Sequence, residues 1–118
     1  MAREQQEDMR RFLGFLGLAM RAGRVIAGTP MVCAAMAEDK KPPLVLYAEG
    51  ASAASQKKIV CKSEFYGVEA ISLPISAEEL GHAIGKTGAI AAVAVTDEGF
   101  ADAMKKKLSP AKKALATN

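Results

Sequence analysis

The chain has 118 residues, 50% hydrophobic and 25% charged, which is the length and composition of one globular domain and excludes a disordered chain. Its formal charge of +3 is unevenly placed: Lys105, Lys106, Lys107, Lys112 and Lys113 come last with no acid among them, so residues 1–104 hold 11 basic against 13 acidic side chains. A uniformly basic nucleic-acid-coating protein is thereby excluded, while a local basic site is not.

The first predicted element is a helix, because Met9, Phe12, Leu13, Leu16 and Met20 recur at three- and four-residue spacing. Gly14 and Gly17 interrupt this stripe. Each lowers helix preference by roughly 1 kcal/mol against Ala, which implies very close packing on a neighbour. Arg21, Gly23 and Arg24 end the helix, with Gly23 as a left-handed cap. Val25-Ile26-Ala27 reads as a short buried strand. Thr29 is the expected N-cap of a second helix, with Pro30 in its first position. That helix runs to about Glu38, where Lys40-Lys41-Pro42-Pro43 breaks it.

Leu44-Val45-Leu46-Tyr47-Ala48 is continuously apolar, as a strand covered on both faces should be. Ser52 caps a third helix ending near Gly67, and residues 68–73 form a third strand. Ser76 and Glu79 make a capping box, with Ile75 and Leu80 as the hydrophobic staple of a fourth helix that ends by Gly85. Residues 89–95 form a fourth strand. Thr96-Asp97-Glu98 opens a fifth helix with carboxylates at its positive end. Phe100, Ala101, Met104 and Leu108 give that helix an apolar face, and Ser109-Pro110 is expected to stop it. One helix followed by four strand–helix alternations, without hairpins, predicts the α/β class: a three-layer α/β/α sandwich. It forms one domain over residues 1–108, followed by a basic polar tail at 109–118. The 23 alanines suggest helices packed closely over a small sheet.

Most familiar chemistries find no support. Cys33 and Cys61 form no Cys-x-x-Cys and are joined by one histidine, His82, which is too few ligands for zinc. They read as free, reduced, buried thiols of a cytoplasmic protein. The longest apolar run, residues 12–20, is far below the roughly 20 residues of a membrane span. Glu4, Glu7 and Asp8 occupy the place of a signal peptide's positive region. The segment Gly81 to Thr87 has three residues between its glycines where a phosphate-binding loop needs four, and it follows a capping box instead of a strand. His82 has no visible nucleophile to serve, and Asp97 and Glu98 suit a helix start. The chain is therefore not expected to be an enzyme, and no cofactor, metal or small-molecule substrate is expected. A cleft uniting His82 with Asp97 or Glu98 would reverse that reading. Six Phe and Tyr at mostly core-like positions, and no Trp, argue against an aromatic stacking platform. Lys57, Lys58 and Lys62 share one helix. They form either a solvated face or a phosphate-contacting edge, the latter if Gly28 and the 72–76 loop lie beside them.

Four segments, in order, resemble the L-seven-Ae superfamily of ribosomal proteins, and within it the bacterial YlxQ-type subfamily. They are Leu16-Gly17-Leu18-Ala19-Met20-Arg21-Ala22-Gly23-Arg24-Val25-Ile26-Ala27-Gly28, the LVLYAE run ending at Glu49, Glu79-Leu80-Gly81-His82-Ala83-Ile84-Gly85, and Val93-Ala94-Val95-Thr96-Asp97-Glu98-Gly99-Phe100. The resemblance covers roughly residues 10 to 107. It implies an α/β/α sandwich around a four-stranded mixed sheet, of the ribosomal L-thirty-e type. It also implies an RNA-binding accessory protein of the translation machinery whose partner is a structured, ribosomal RNA, with a protein of the translation or transcription machinery as a further partner and no membrane.

The superfamily's signature for kinked RNA is Gly-x-Asn-Glu, with a Lys after two further residues. A second, apolar loop before the fourth helix packs on a flipped-out base. Here Gly28 matches and Thr29 fills the open position, but Pro30 replaces the Asn, Met31 the Glu and Ala34 the Lys. Pro30 has no donor and Met31 cannot accept from a base amino group, so base-specific kink-turn recognition is expected to be lost. The positions carried over as nucleic-acid-binding are Gly28, Thr29, Pro30 and Met31, the lysines Lys57, Lys58 and Lys62, and Leu73, Pro74 and Ile75 in the second loop. The alternative is a protein-interaction module that keeps the fold without RNA, with Pro30, Met31 and Ala34 on an apolar partner surface.

Overall fold

The computed structural model describes the backbone of residues 2–116 and the side chains of residues 6–108. Its elements in chain order are α1 (Ala2–Arg21), β1 (Val25–Ala27), α2 (Thr29–Met36), β2 (Leu44–Ala48), α3 (Ala53–Tyr66), β3 (Ala70–Leu73), α4 (Ala77–Ala83), β4 (Ala92–Val95) and α5 (Glu98–Ala116).

Local chemistry sets most of these boundaries. The α1 and α3 helices stop where Gly23 and Gly67 take positive φ. In each case the next amide reaches back to close the last turn, Arg24 to the Ala19 carbonyl at 3.0 Å and Val68 to Ser63 at 2.9 Å. Ser52 caps α3 by accepting from the Ser55 amide at 3.2 Å. The expected box at α4 is complete: the Glu79 amide donates to Ser76 Oγ at 3.0 Å, and the Ser76 amide donates to Glu79 Oε1 at 3.2 Å. Ser76→Ala should therefore lower stability by about 1 kcal/mol, read as a lower urea midpoint with unchanged slope. An unchanged midpoint would show that the box adds nothing.

The strands form one sheet in the order β1-β4-β2-β3. β4 runs antiparallel to both of its neighbours, and β3 runs parallel to β2. Both faces are covered, giving the three-layer sandwich. Leu44, Leu46 and Ala48 of β2 and Val93 and Val95 of β4 join Phe12, Leu16, Leu80 and Met104 in the core under α1, α4 and α5. The alternate residues Val45, Ala92 and Ala94 meet Val32, Met36 and Ile59 under α2 and α3. On β4 the α2–α3 face thus carries alanines and the other face valines, so α2 sits close to the sheet.

Several boundaries differ from expectation. β1 is an edge strand, and only Val25 of it is buried. β3 begins at Ala70, because the Val68 amide is used to close α3. β4 begins at Ala92, because residues 88–91 run beside α4, with the Ile90 amide bonded to the Ala77 carbonyl at 2.9 Å. Close packing holds for Gly17, where a Cβ would lie 2.9 Å from the Ala83 carbonyl oxygen, but a Cβ on Gly14 would meet no atom beyond its own helix turn within 4 Å. The α5 helix continues past Ser109 and Pro110 to Ala116. A proline removes one donor and weakens or bends a helix, yet does not oblige later residues to leave the helical path. The side chains of the expected tail, 109–118, lie outside the described residues.

Candidate nucleic-acid interface

The sheet topology brings three loops to one end. β1, β2 and β3 all finish there and β4 starts there, since Ala27 pairs with Val93, Tyr47 with Ala92, and Ala48 with Leu73. Backbone hydrogen bonds lace the loops together: Gly28 to Ala92 at 2.9 Å, Glu49 to Leu73 at 2.9 Å and Gly50 to Ile75 at 3.0 Å. At Gly50 a Cβ would stand 2.9 Å from the Ser76 Cα, so the loops after β2 and β3 touch main chain to main chain. The Gln56 side chain donates to the Glu49 and Ala51 carbonyls at 2.9 and 2.8 Å, which fixes the first turn of α3 to the same end. Across this end the loops after β1 and β3 are three strand spacings apart, about 14 Å.

The start of α2 is fixed by its backbone. Gly28, not Thr29, is the N-cap, with φ 99° and ψ 138° and no side-chain cap bond. That φ admits glycine and strains any other residue. The Gly28 N–H continues the β1–β4 ladder while its carbonyl accepts the first helical bond from Val32 at 2.9 Å. The surviving signature glycine thus has a structural reason to be there. Thr29 and Pro30 fill the first two helical positions, where the N–H that Pro30 lacks would have no partner within the helix. Thr29 is half-buried. Pro30, Met31 and Ala34 are all exposed, Met31 at 60%.

The remaining expected site residues separate. Lys57, Lys58 and Lys62 are all on α3, with Lys57 and Lys58 exposed and Lys62 likewise. Lys57 stands about 6 Å along the axis from the helix start and Lys62 about 14 Å, so only the first two approach the loop end. Leu73 and Ile75 are buried, at 0% and 6% exposure. Leu73 closes β3 over the core and Ile75 packs beside Leu80 as the staple, so neither side chain can meet a ligand. Of that loop's three expected residues only Pro74 is exposed.

The other candidates resolve simply. Asp97 Oδ2 accepts from the Phe100 amide at 2.9 Å and caps α5. His82 is exposed on a groove of about 970 Å³ between α1 and α4, beside Arg10, Glu78 and Glu79 but neither Asp97 nor Glu98. The segment after Gly81 is a helix end and not a phosphate loop: the Lys86 amide donates to the Gly81 carbonyl at 2.9 Å. The thiols are less buried than expected. Cys33 is half-buried, and Cys61 is exposed because it lies on the outer side of α3. Lys105 pairs with Glu69 at 3.4 Å and the Lys107 ammonium stands 5.1 Å from the Phe15 ring centroid, so both belong to the body of the domain. Among the described residues no three His, Cys, Asp or Glu side chains converge to hold a metal ion, and no helix is long and apolar enough to cross a membrane.

Sequence reasoning missed Phe65. It is 79% exposed and so departs from the mostly core-like placement expected of the aromatic side chains. Its place one turn after Lys62 on an exposed stripe was the available signal.

A mixed four-stranded sheet between two helical layers, with its strand-end loops hydrogen-bonded at one end, defines an α/β/α sandwich. The chain belongs to the ribosomal protein L7Ae/L30e/S12e/Gadd45 family, whose model matches residues 11–105. It is 39% identical over 87 residues to the RNA-binding protein YlxQ of Bacillus subtilis (strain 168), covering 74% of this chain and 84% of that protein. It is 34% identical over 93 residues to the RNA-binding protein YlxQ of Enterococcus faecium, covering 79% and 86%. Among solved structures, a protein of unknown function from Bacillus halodurans superposes with a TM-score of 0.74 at 28% identity, over 83% of this chain and 96% of that one. The Giardia lamblia 15.5kD RNA binding protein shares the fold, with a TM-score of 0.71 at 13% identity over 93% and 89%.

Proposed function

We propose that this chain is a cytoplasmic RNA-binding accessory protein of the translation machinery. It takes a structured, ribosomal RNA at the loop end of its sheet without base-specific kink-turn readout. The observation that carries the reading is that residues 28–31, Pro74 and the start of α3 share one end of the sheet, in a chain whose curated relatives are named RNA-binding proteins. The amides of Thr29 and Met31 precede the first helical bond and suit phosphate oxygens. Exposed Lys57 and Lys58 stand within the first two turns of α3, which starts at the same end of the sheet. This is binding through backbone and charge, with no catalytic role, cofactor or small-molecule substrate.

The test is a titration against a kink-turn RNA, its G·A-disrupted mutant and bulk ribosomal RNA at two salt concentrations. Salt-sensitive binding with little difference between the first two is expected. Absence of any RNA binding at low salt overturns the proposal, and strong preference for the intact kink-turn overturns the reading of Pro30 and Met31. K57Q/K58Q/K62Q should flatten the dependence of log affinity on log salt by about 0.9 for each phosphate that is no longer neutralised. An unchanged slope would return these lysines to a merely solvated face.

A specific observation supports a second reading. Met31, Ala34 and Ala35 line, with Ile26 and Pro42 and a charged rim of Arg24, Glu38, Lys40 and Lys41, a groove of about 430 Å³ between α2 and β1. Apolar lining at the signature positions suits a protein partner. Co-purification that survives nuclease, together with failure to bind RNA, would favour it.

A further inference from the structure

The outer stripe of α3 carries an ordered aromatic ring in a row of cations. Phe65 is more exposed than any other large apolar side chain among the described residues. Its ring is nevertheless braced: Tyr66 packs against it edge-on, with centroids 4.9 Å apart and planes at 87°. Tyr66 is held in turn by Lys41, whose ammonium stands 4.8 Å from the ring centroid. That ammonium donates to the Met36 and Glu38 carbonyls at 3.0 and 2.9 Å, so it is fixed at the end of α2. Lys58 and Lys62 precede Phe65 by seven and three residues. They therefore share its helical stripe, and both are exposed. The nearest acid in sequence, Glu64, falls on the neighbouring stripe with Lys57.

A braced ring with a free face, in line with two ammonium groups over about 10 Å of helix, fits one chemistry well. A planar base stacks on the ring while the phosphates of its own strand meet the lysines. An apolar protein surface would instead strip water from Lys58 and Lys62 and leave them unpaired. We infer that the outer stripe of α3 is a stacking platform for an unpaired segment of RNA, with Phe65 receiving a base and Lys58 and Lys62 meeting the backbone. The inference rests on the RNA-binding reading above. It adds a second contact, toward the end of α3 remote from the loops.

The chain contains no Trp, so F65W installs the one indole fluorophore, which can be excited selectively over Tyr47 and Tyr66. A short oligouridylate should quench it, and a perfectly paired RNA duplex of matching length should not. F65A should weaken oligouridylate binding about 5- to 100-fold, while F65Y retains it. Circular dichroism should show all three variants folded, since the side chain is mostly in solvent. Oligouridylate bound as tightly by F65A as by the parent chain, or bound without quenching F65W, overturns the platform while leaving RNA binding at the loops intact. Failure of the parent chain to bind ribosomal RNA or oligouridylate at low salt overturns both readings.

Discussion

Replacing Pro30, Met31 and Ala34 together by Asn, Glu and Lys (P30N/M31E/A34K) should give the chain a preference for a kink-turn RNA over its G·A-disrupted mutant of about 30-fold to 10⁴-fold. The estimate counts two base-reading side chains at about 1–3 kcal/mol each, with 1.4 kcal/mol per factor of ten. The new lysine should tighten both RNAs alike, since a phosphate contact carries no base code. The fold should tolerate the change, because none of the three positions is buried. The helix start they occupy is held by main-chain bonds from Gly28 to Ala92 and from Val32 to Gly28. Fluorescence anisotropy with both RNAs measures the preference, and urea denaturation checks that the variant is folded. A folded variant that binds both RNAs equally would show that the scaffold, and not only its side chains, has left the kink-turn geometry.

The second large effect is on stability. Gly81→Ala should destabilise the domain by at least about 2 kcal/mol, although it places the better helix former in a helix. Preference alone would gain about 1 kcal/mol. Against this, the new methyl would fall on the carbonyl oxygen of Gly88 and lie 3.4 Å from Ile90 Cγ1. The Gly88 oxygen belongs to main chain pinned nearby by the Ile90–Ala77 bond at 2.9 Å. Overpacking costs about 1–3 kcal/mol even where side chains can yield, and more where backbone must move. Gly14→Ala is the control. It sits mid-helix, exposed, with nothing beyond its own helix turn within 4 Å of the added carbon, and should gain up to about 1 kcal/mol. Urea midpoints for the two variants should move in opposite directions, and a G81A midpoint at or above that of the parent would refute the packing argument.

These contrasts mark what could be read from the sequence. Ser52, Ser76 with Glu79, Gly23 and Gly67 announce their helix ends, because each acts within a few residues of itself. β2 is legible because both of its faces are buried and the whole run is apolar. The cap of α2 is not legible in this way. Residue type favours Thr29, but the conformation of Gly28 is tied to a hydrogen bond with Ala92, more than sixty residues away. β3 and β4 start late for a related reason: their first apolar residues are engaged by α3 and α4. Within the candidate site, Leu73, Pro74 and Ile75 look alike by composition. Only the direction each faces, fixed for Leu73 by the register of β3 on β2 and for Ile75 by its bonds to Leu73 and Gly50, separates two core residues from one exposed residue.

The alternation on β4 has a bearing on the surface. Ala92 and Ala94 lie between the sheet and Val32 and Met36 of α2, so two methyl groups set how far that helix stands from the strands. Its first turn rises at one side of the loop end and Pro74 at the other. The height of that helix start above the sheet is thus tuned from inside, by residues that an RNA at the proposed site would never touch. A larger side chain at Ala94 would lift α2 away from the sheet without altering a single exposed atom type, so on the proposed reading a change of ligand can begin in the core.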